Sequence, residues 1–231
     1  MSDRYFVESP ITSDLAALSG AEAHHLLHVM RETAGSRVTL FDGTGREFEA
    51  EVRRTGRAEV ELAILARHEV DRETASPLTL GVALPKGDRQ KWLVEKATEL
   101  GVARLVPLKT ARAVAEPSEG ARERLRRAVI EASKQCGRNR LMEIAAPLPW
   151  EQFLADCRGI ARRFVAHPGA EPLPRAGAHE TAVAAIGPEG GFTDEEISMA
   201  IAQNWQPVCL GARTLRVETA AVALAAICTN P

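Results

Sequence analysis

Hydrophobic and polar positions change rhythm once along this chain. The first seventy residues follow a short period. "RVTLFDGTGREFEAEVRR" (37–54) has an apolar run, a D-G-T-G turn and a second run alternating at Phe48, Ala50 and Val52, which predicts a hairpin. "AEVELAILARHEV" (58–70) predicts a further strand, and "GAEAHHLLHVMRE" (20–32) a short helix before the hairpin. The polar stretch "DRETASP" (71–77), ending in Pro77, suits a linker. From Leu78 strands and helices alternate. "LTLGVAL", "ARLVPLKT", "IARRFVAHP", "TAVAAIG" and "QPVCLG" are short apolar runs that predict strands. Between them, "DRQKWLVEKATEL" (88–100) predicts an amphipathic helix closed by Gly101 as C-cap. "ARERLRRAVIEASKQCGR" (121–138) predicts another that ends at a glycine. "TDEEISMAIAQNW" (193–205) and "ETAAVALAAICTN" (218–230) predict two more. The expected architecture is α/β: a β-barrel-like module over 1–72, then a parallel sheet covered on both faces over 73–231.

In such a sheet, ligands bind beyond the carboxyl ends of the strands. Three loops leave those ends: "HPGAE" after Ala166, "GPEGG" after Ile186 and "GARTLRVE" after Leu210. They are expected to converge. Three of the five residues 187–191 are glycine, which lets a ligand touch the main chain. Pro188 stiffens the turn, and Thr193 with Glu196 forms a capping box opening the next helix. The turn is neither a G-x-G-x-x-G fingerprint nor a P-loop, which disfavours a nucleotide-dependent oxidoreductase. Glu189 would repel a phosphate. It better suits a neutral or cationic ligand, such as an adenosine carrying a sulfonium.

Composition sets the setting. The 231 residues are 45% hydrophobic and 26% charged, as in a globular protein. No apolar run approaches a membrane span of about 20 residues, and the N-terminus has no secretory pattern, so a cytoplasmic location is expected. Four cysteines without a C-x-x-C pair read as reduced, mostly buried thiols. No metal is expected; His24 and His28 lack a third ligand nearby and belong to a surface helix. The net charge of −2 conceals an asymmetry. Residues 1–70 hold 8 Lys/Arg against 12 Asp/Glu, and residues 80–143 hold 14 against 8. The local excess fits a docking surface for a polyanion. Its richest part, residues 121–140, has seven basic residues against two acidic, with Arg127, Glu131, Lys134 and Arg138 on one predicted helical face. Lys86, Arg89 and Arg4 are the other RNA-contact candidates.

"LGARTLRVETA" (210–220) together with "IGPEGGFTDEEI" (186–197) resembles the C-terminal signature of SPOUT-class RNA methyltransferases. Within that class the similarity is to the family that methylates N3 of a uridine in 16S ribosomal RNA. "KGDRQKWLVEKATELGV" (86–102), "EASKQCGRNR" (131–140) and "HHLLHVMRETAGSRVTLFDGTGREF" (24–48) resemble it too, so the likeness runs over nearly the whole chain. The resemblance implies a PUA-like RNA-binding barrel and a SPOUT domain with a deep trefoil knot. It also implies S-adenosylmethionine as cofactor, a homodimer, and small-subunit rRNA as substrate. The cofactor would be held by His167, Gly187, Pro188, Glu189, Gly190, Gly191, Leu210, Gly211, Leu215, Arg216 and Thr219. Arg216 would stabilise charge developing on the uracil or grip a phosphate; an ion pair with Glu218 is its alternative role. Glu218 is the candidate base. The sequence departs from the pattern at Val217, where a polar or β-branched residue such as threonine is more usual; valine keeps the shape without the hydroxyl. Methylation of another RNA such as tRNA, or RNA binding without catalysis, are the competing readings.

Overall fold

The computed structural model describes residues 4–113, 119–174 and 180–229. Among these the chain divides into two compact units. Residues 1–72 together with Ser133–Leu141 form the first; Glu73–Ala132 and Met142–Pro231 form the second. The sequence boundary after residue 72 therefore needs one addition, because 133–141 returns to the first unit.

The first unit contains β1 (Arg4–Phe6), β2 (Leu15–Ser19), α1 (Gly20–His24) running into a π-helical turn (His25–Val29), β3 (Arg37–Phe41), β4 (Arg46–Thr55) and β5 (Glu59–Glu69). Its curled five-stranded sheet has the order β1-β3-β4-β5-β2. The D-G-T-G hairpin is present: Asp42 accepts from the Thr44 amide and hydroxyl (3.0 and 2.6 Å), and Gly43 and Gly45 take φ of 82° and 103°. Alternate residues Phe48, Ala50 and Val52 turn inward with Tyr5, Leu18, Leu26, Leu40, Val60 and Leu62 to form the core. That alternation is the period the sequence displayed.

The second unit runs β6 (Leu78–Val82), α2 (Arg89–Glu99), β7 (Arg104–Lys109), α3 (Glu119–Cys136, whose last residues count with the first unit), β8 (Glu143–Ile144), β9 (Leu148–Pro149), α4 (Trp150–Asp156), β10 (Arg162–Ala166), β11 (Ala182–Ile186), α5 (Asp194–Ala202), β12 (Gln206–Val208) and α6 (Val217–Thr229). Asn230, the last residue of the final predicted helix, lies outside the described residues. The sheet order is β12-β10-β11-β6-β7-β8, with β9 also on β7, and every pairing is parallel. Gly101 (φ 83°) and Gly137 (φ 85°) end their helices in the left-handed conformation. Residues 182–186 are buried throughout, as a central parallel strand requires. Under the sheet Trp150, Phe153, Phe192 and Trp205 cluster, with the Trp150 indole donating to the Glu196 carbonyl at 3.0 Å. Gly81 makes room for this cluster: a Cβ there would lie 2.5 Å from Phe153 Cζ.

Candidate active site

Sheet order decides whether the three loops meet. β10 lies between β11 and β12, with Val165 opposite Ala185 and Ala166 opposite Val208. The exits at His167, Gly187 and Cys209 therefore leave the same edge of three adjacent strands, the third two residues before the exit after Leu210 that the sequence suggested. Backbone bonds join them further. The His167 amide donates to Val208 O (2.9 Å), the Cys209 amide to Glu171 O (2.8 Å) and the Ala83 amide to Ile186 O (2.9 Å).

The 187–191 turn is built for main-chain access. Its Gly191 amide closes on Pro188 O at 2.8 Å. A Cβ on Gly187 would stand 3.0 Å from the Phe192 ring and 3.1 Å from its amide. Gly191 (φ 70°) and Gly211 (φ 110°) have conformations L side chains rarely adopt, with open space beside them. Gly187 and Pro188 are buried, whereas Glu189 and Gly190 are exposed. Behind the turn the capping box is complete: Thr193 Oγ1 accepts from the Glu196 amide (3.2 Å) and Glu196 Oε2 from the Thr193 amide (2.8 Å). Glu196 Oε1 also accepts from the Ala111 amide at 2.8 Å, so this buried carboxylate ties the β7 exit to the turn.

The charged candidates sort into two sets. Glu218, second residue of α6, is buried, and its Oε2 makes no hydrogen bond. It faces Arg89, whose Nη1 is 3.7 Å away, while Arg89 Nη2 donates to Glu189 Oε1 at 3.3 Å. Arg216 is exposed just before α6; among the described residues it makes no ion pair with Glu218. Leu210, Leu215 and His167 are half-buried, Thr219 is exposed and Val217 is buried. Arg112 is a residue the sequence did not single out. Its Nη1 donates to Gly190 O at 2.7 Å. Because it sits in an irregular loop, no periodicity marked it.

The RNA candidates divide differently from expectation. Lys86 and Arg127 are exposed. Arg4 and Lys134 are paired within the first unit and Arg138 is buried, unlike the open phosphate contacts expected of them. Arg4 pairs with Glu47 (2.9 Å) and donates to Asn139 Oδ1 (2.7 Å); Lys134 pairs with Glu22 (3.0 Å); Arg138 is 3% exposed. Among the described residues no three His, Cys, Asp or Glu cluster as metal ligands, and no helix is long and apolar enough to cross a membrane.

A glycine turn and two carboxylates at the exits of adjacent parallel strands, preceded by a small β-unit, define a class. Residues 72–229 match the family model described as an RNA methyltransferase domain, and residues 18–65 the one described as an RNA methyltransferase PUA domain. The chain is 37% identical over 218 residues to the ribosomal RNA small subunit methyltransferase E of Synechocystis sp., covering 91% of this chain and 71% of that one. It is 28% identical over 243 residues to the Bacillus subtilis enzyme of the same name, at 97% and 95% coverage. A methyltransferase from Legionella pneumophila, solved with bound SAM, superposes with TM-score 0.89 at 32% identity, covering 98% and 96% of the two chains. The Neisseria gonorrhoeae ribosomal RNA small subunit methyltransferase E, bound to S-adenosyl methionine, gives 0.88 at 28%, with the same coverage. This chain belongs to the ribosomal RNA small subunit methyltransferase E family.

The structure itself tests the fit of that cofactor. A Cβ on Gly187 would crowd the Phe192 amide, Gly191 has open space beside it, and Glu218 keeps a buried oxygen that makes no hydrogen bond. Two carboxylates suit a cationic sulfonium. The residues present fit the group.

Proposed function

We propose that the protein methylates N3 of a uridine in the 16S rRNA of the small ribosomal subunit, with S-adenosylmethionine as methyl donor. The observation that carries this reading is the meeting of three strand exits at one sheet edge, in a chain whose solved relative holds that cofactor. The cofactor supplies a methyl already activated on sulfur, so positioning provides much of the catalysis. Main-chain groups around Gly187, Gly191, Leu210, Gly211 and Leu215 hold adenine and ribose. His167, Pro188, Gly190 and Thr219 line the same pocket. The uracil N3 proton leaves as the methyl arrives, and negative charge spreads to O2 and O4. Arg216 is exposed and unpaired with Glu218, so it is free to meet that charge with its forked donors. Glu218, with one oxygen that makes no hydrogen bond, is the proton acceptor.

Lys86 and Arg127 supply phosphate contacts, which position the RNA without choosing the base. The PUA-like unit selects the rRNA. A homodimer is the working form, supported by Trp92 and Ile227, which are 43% and 40% exposed on the packed helices α2 and α6. The trefoil knot is part of this proposal. α6 follows the edge strand β12, yet it packs on α2, β6 and β11 in the middle of the sheet, the kind of return such a knot requires. The reaction belongs in the cytoplasm, where ribosomal subunits are.

The test is methylation of small subunits lacking the modification, read by nucleoside mass spectrometry. N3-methyluridine is the expected product. Another methylated nucleoside, or activity on tRNA alone, would overturn the substrate assignment.

A further inference from the structure

Two arginines from different elements reach the turn after β11. Arg112, in the loop after β7, holds the Gly190 carbonyl at 2.7 Å. Arg89, the first residue of α2, holds the neighbouring Glu189 side chain at 3.3 Å and stands 3.7 Å from Glu218 Oε2. Charge-assisted hydrogen bonds built for strength close to about 2.7–2.9 Å. Arg89 is closed on neither carboxylate; one guanidinium is shared between them. Its two partners differ in burial. The Glu189 side chain is 42% exposed and that of Glu218 10%. Arg89 faces two acids, one on the cofactor turn and one at the start of α6.

We infer that Arg89 is a positioning residue of the cofactor site, yoking the 187–191 turn to the start of α6. This rests on the reading of that turn as part of the S-adenosylmethionine site. Arg89 places a cation between two carboxylates that would otherwise repel each other. It leaves the group with one net negative charge, the complement of a cofactor with one net positive charge. It also fixes Glu189 from the side while Arg112 fixes Gly190 from the main chain, so the turn is braced at successive residues. Removing Arg89 leaves the turn with Arg112 and its own Gly191-to-Pro188 bond.

The test compares the full-length wild type with Arg89→Gln and Arg89→Lys. Amide hydrogen exchange on the ligand-free proteins should show faster exchange over 187–193 in Arg89→Gln, with the β6 and β7 peptides unchanged. Calorimetric titration with S-adenosylmethionine should show affinity about tenfold weaker, as for loss of a contact to a charged group. Arg89→Lys should recover part of both effects, because an ammonium keeps the charge but not the fork. Affinity for 16S rRNA should be unchanged. Unaltered exchange and cofactor affinity with weaker RNA binding would make Arg89 a phosphate contact and overturn the inference. If wild type itself binds no S-adenosylmethionine, the cofactor reading falls on its own, and the exchange comparison still decides whether Arg89 braces the turn. Should Arg89→Gln fail to fold, the same exchange comparison on Arg89→Lys decides it.

Discussion

The two units use their cations in opposite ways. In the first, Glu47 accepts from Arg4 and Arg72 at 2.9 Å each, Arg4 also donates to Asn139, and Lys134 closes on Glu22. Except for the exposed Arg72 these side chains are largely buried, and their contacts have the lengths of finished bonds. At the edge of the second unit Arg89 is shared at 3.3 and 3.7 Å, Glu218 keeps an oxygen without a hydrogen bond, and Arg216 stands in solvent. Apart from Arg4 Nε, which makes no hydrogen bond, the first network is closed on itself and serves the fold. An open one is incomplete until a ligand arrives. Substitutions should therefore split: in the first unit they should cost stability, at the second unit's edge they should cost binding or turnover.

The largest effect expected is at Arg216. Arg216→Ala should lower kcat by roughly a thousandfold, as when a donor to developing charge is lost, and leave the thermal midpoint in place. An active variant removes Arg216 from the mechanism. Next comes Glu47→Gln, which should cost about 2 kcal/mol of stability by removing the charge that Arg4 and Arg72 bond to. Denaturant unfolding reads this, and cofactor affinity should not move. Glu47 also predicts a pH dependence. Burial works against its charge, but hydrogen bonds from Arg72 and Arg4 prevail and hold its carboxyl below the ordinary 4.5. Its contribution is therefore full above pH 4.5 and is lost as pH falls through the depressed value. The gap between wild type and Glu47→Gln should narrow over that acid range; a constant gap would mean the carboxylate charge is not what matters. The smallest effect is at the surface. Lys86→Gln and Arg127→Gln should each weaken RNA binding modestly and reduce the salt slope by about 1. Arg138→Gln, a buried cation, should instead act on stability.

Much of the second unit was legible because its signals are local. The apolar runs, the glycines at 101 and 137 and the Thr193–Glu196 cap all lie within a few residues of what they determine. The common edge of the loops was legible too: alternating strands and helices favour parallel pairing, and parallel pairing puts the exits at 167, 187 and 209 on one edge. What the sequence did not show was long-range. Arg4 and Asn139 are 135 residues apart and Lys134 and Glu22 are 112, so nothing near these cations told of their partners. The strands β8 and β9 are two residues each, too short to show a period. α4 begins at Trp150 after a proline, with no side-chain cap to announce it. The π-helical turn at 25–29 has the composition of an ordinary helix, and only the backbone reveals its wider register.

Hydrogen exchange with and without S-adenosylmethionine tests the central claim most directly. Protection should rise together over 167–171, 187–192 and 209–216 and nowhere in residues 4–72. Protection at only one of those exits, or within the PUA-like unit, would contradict the account.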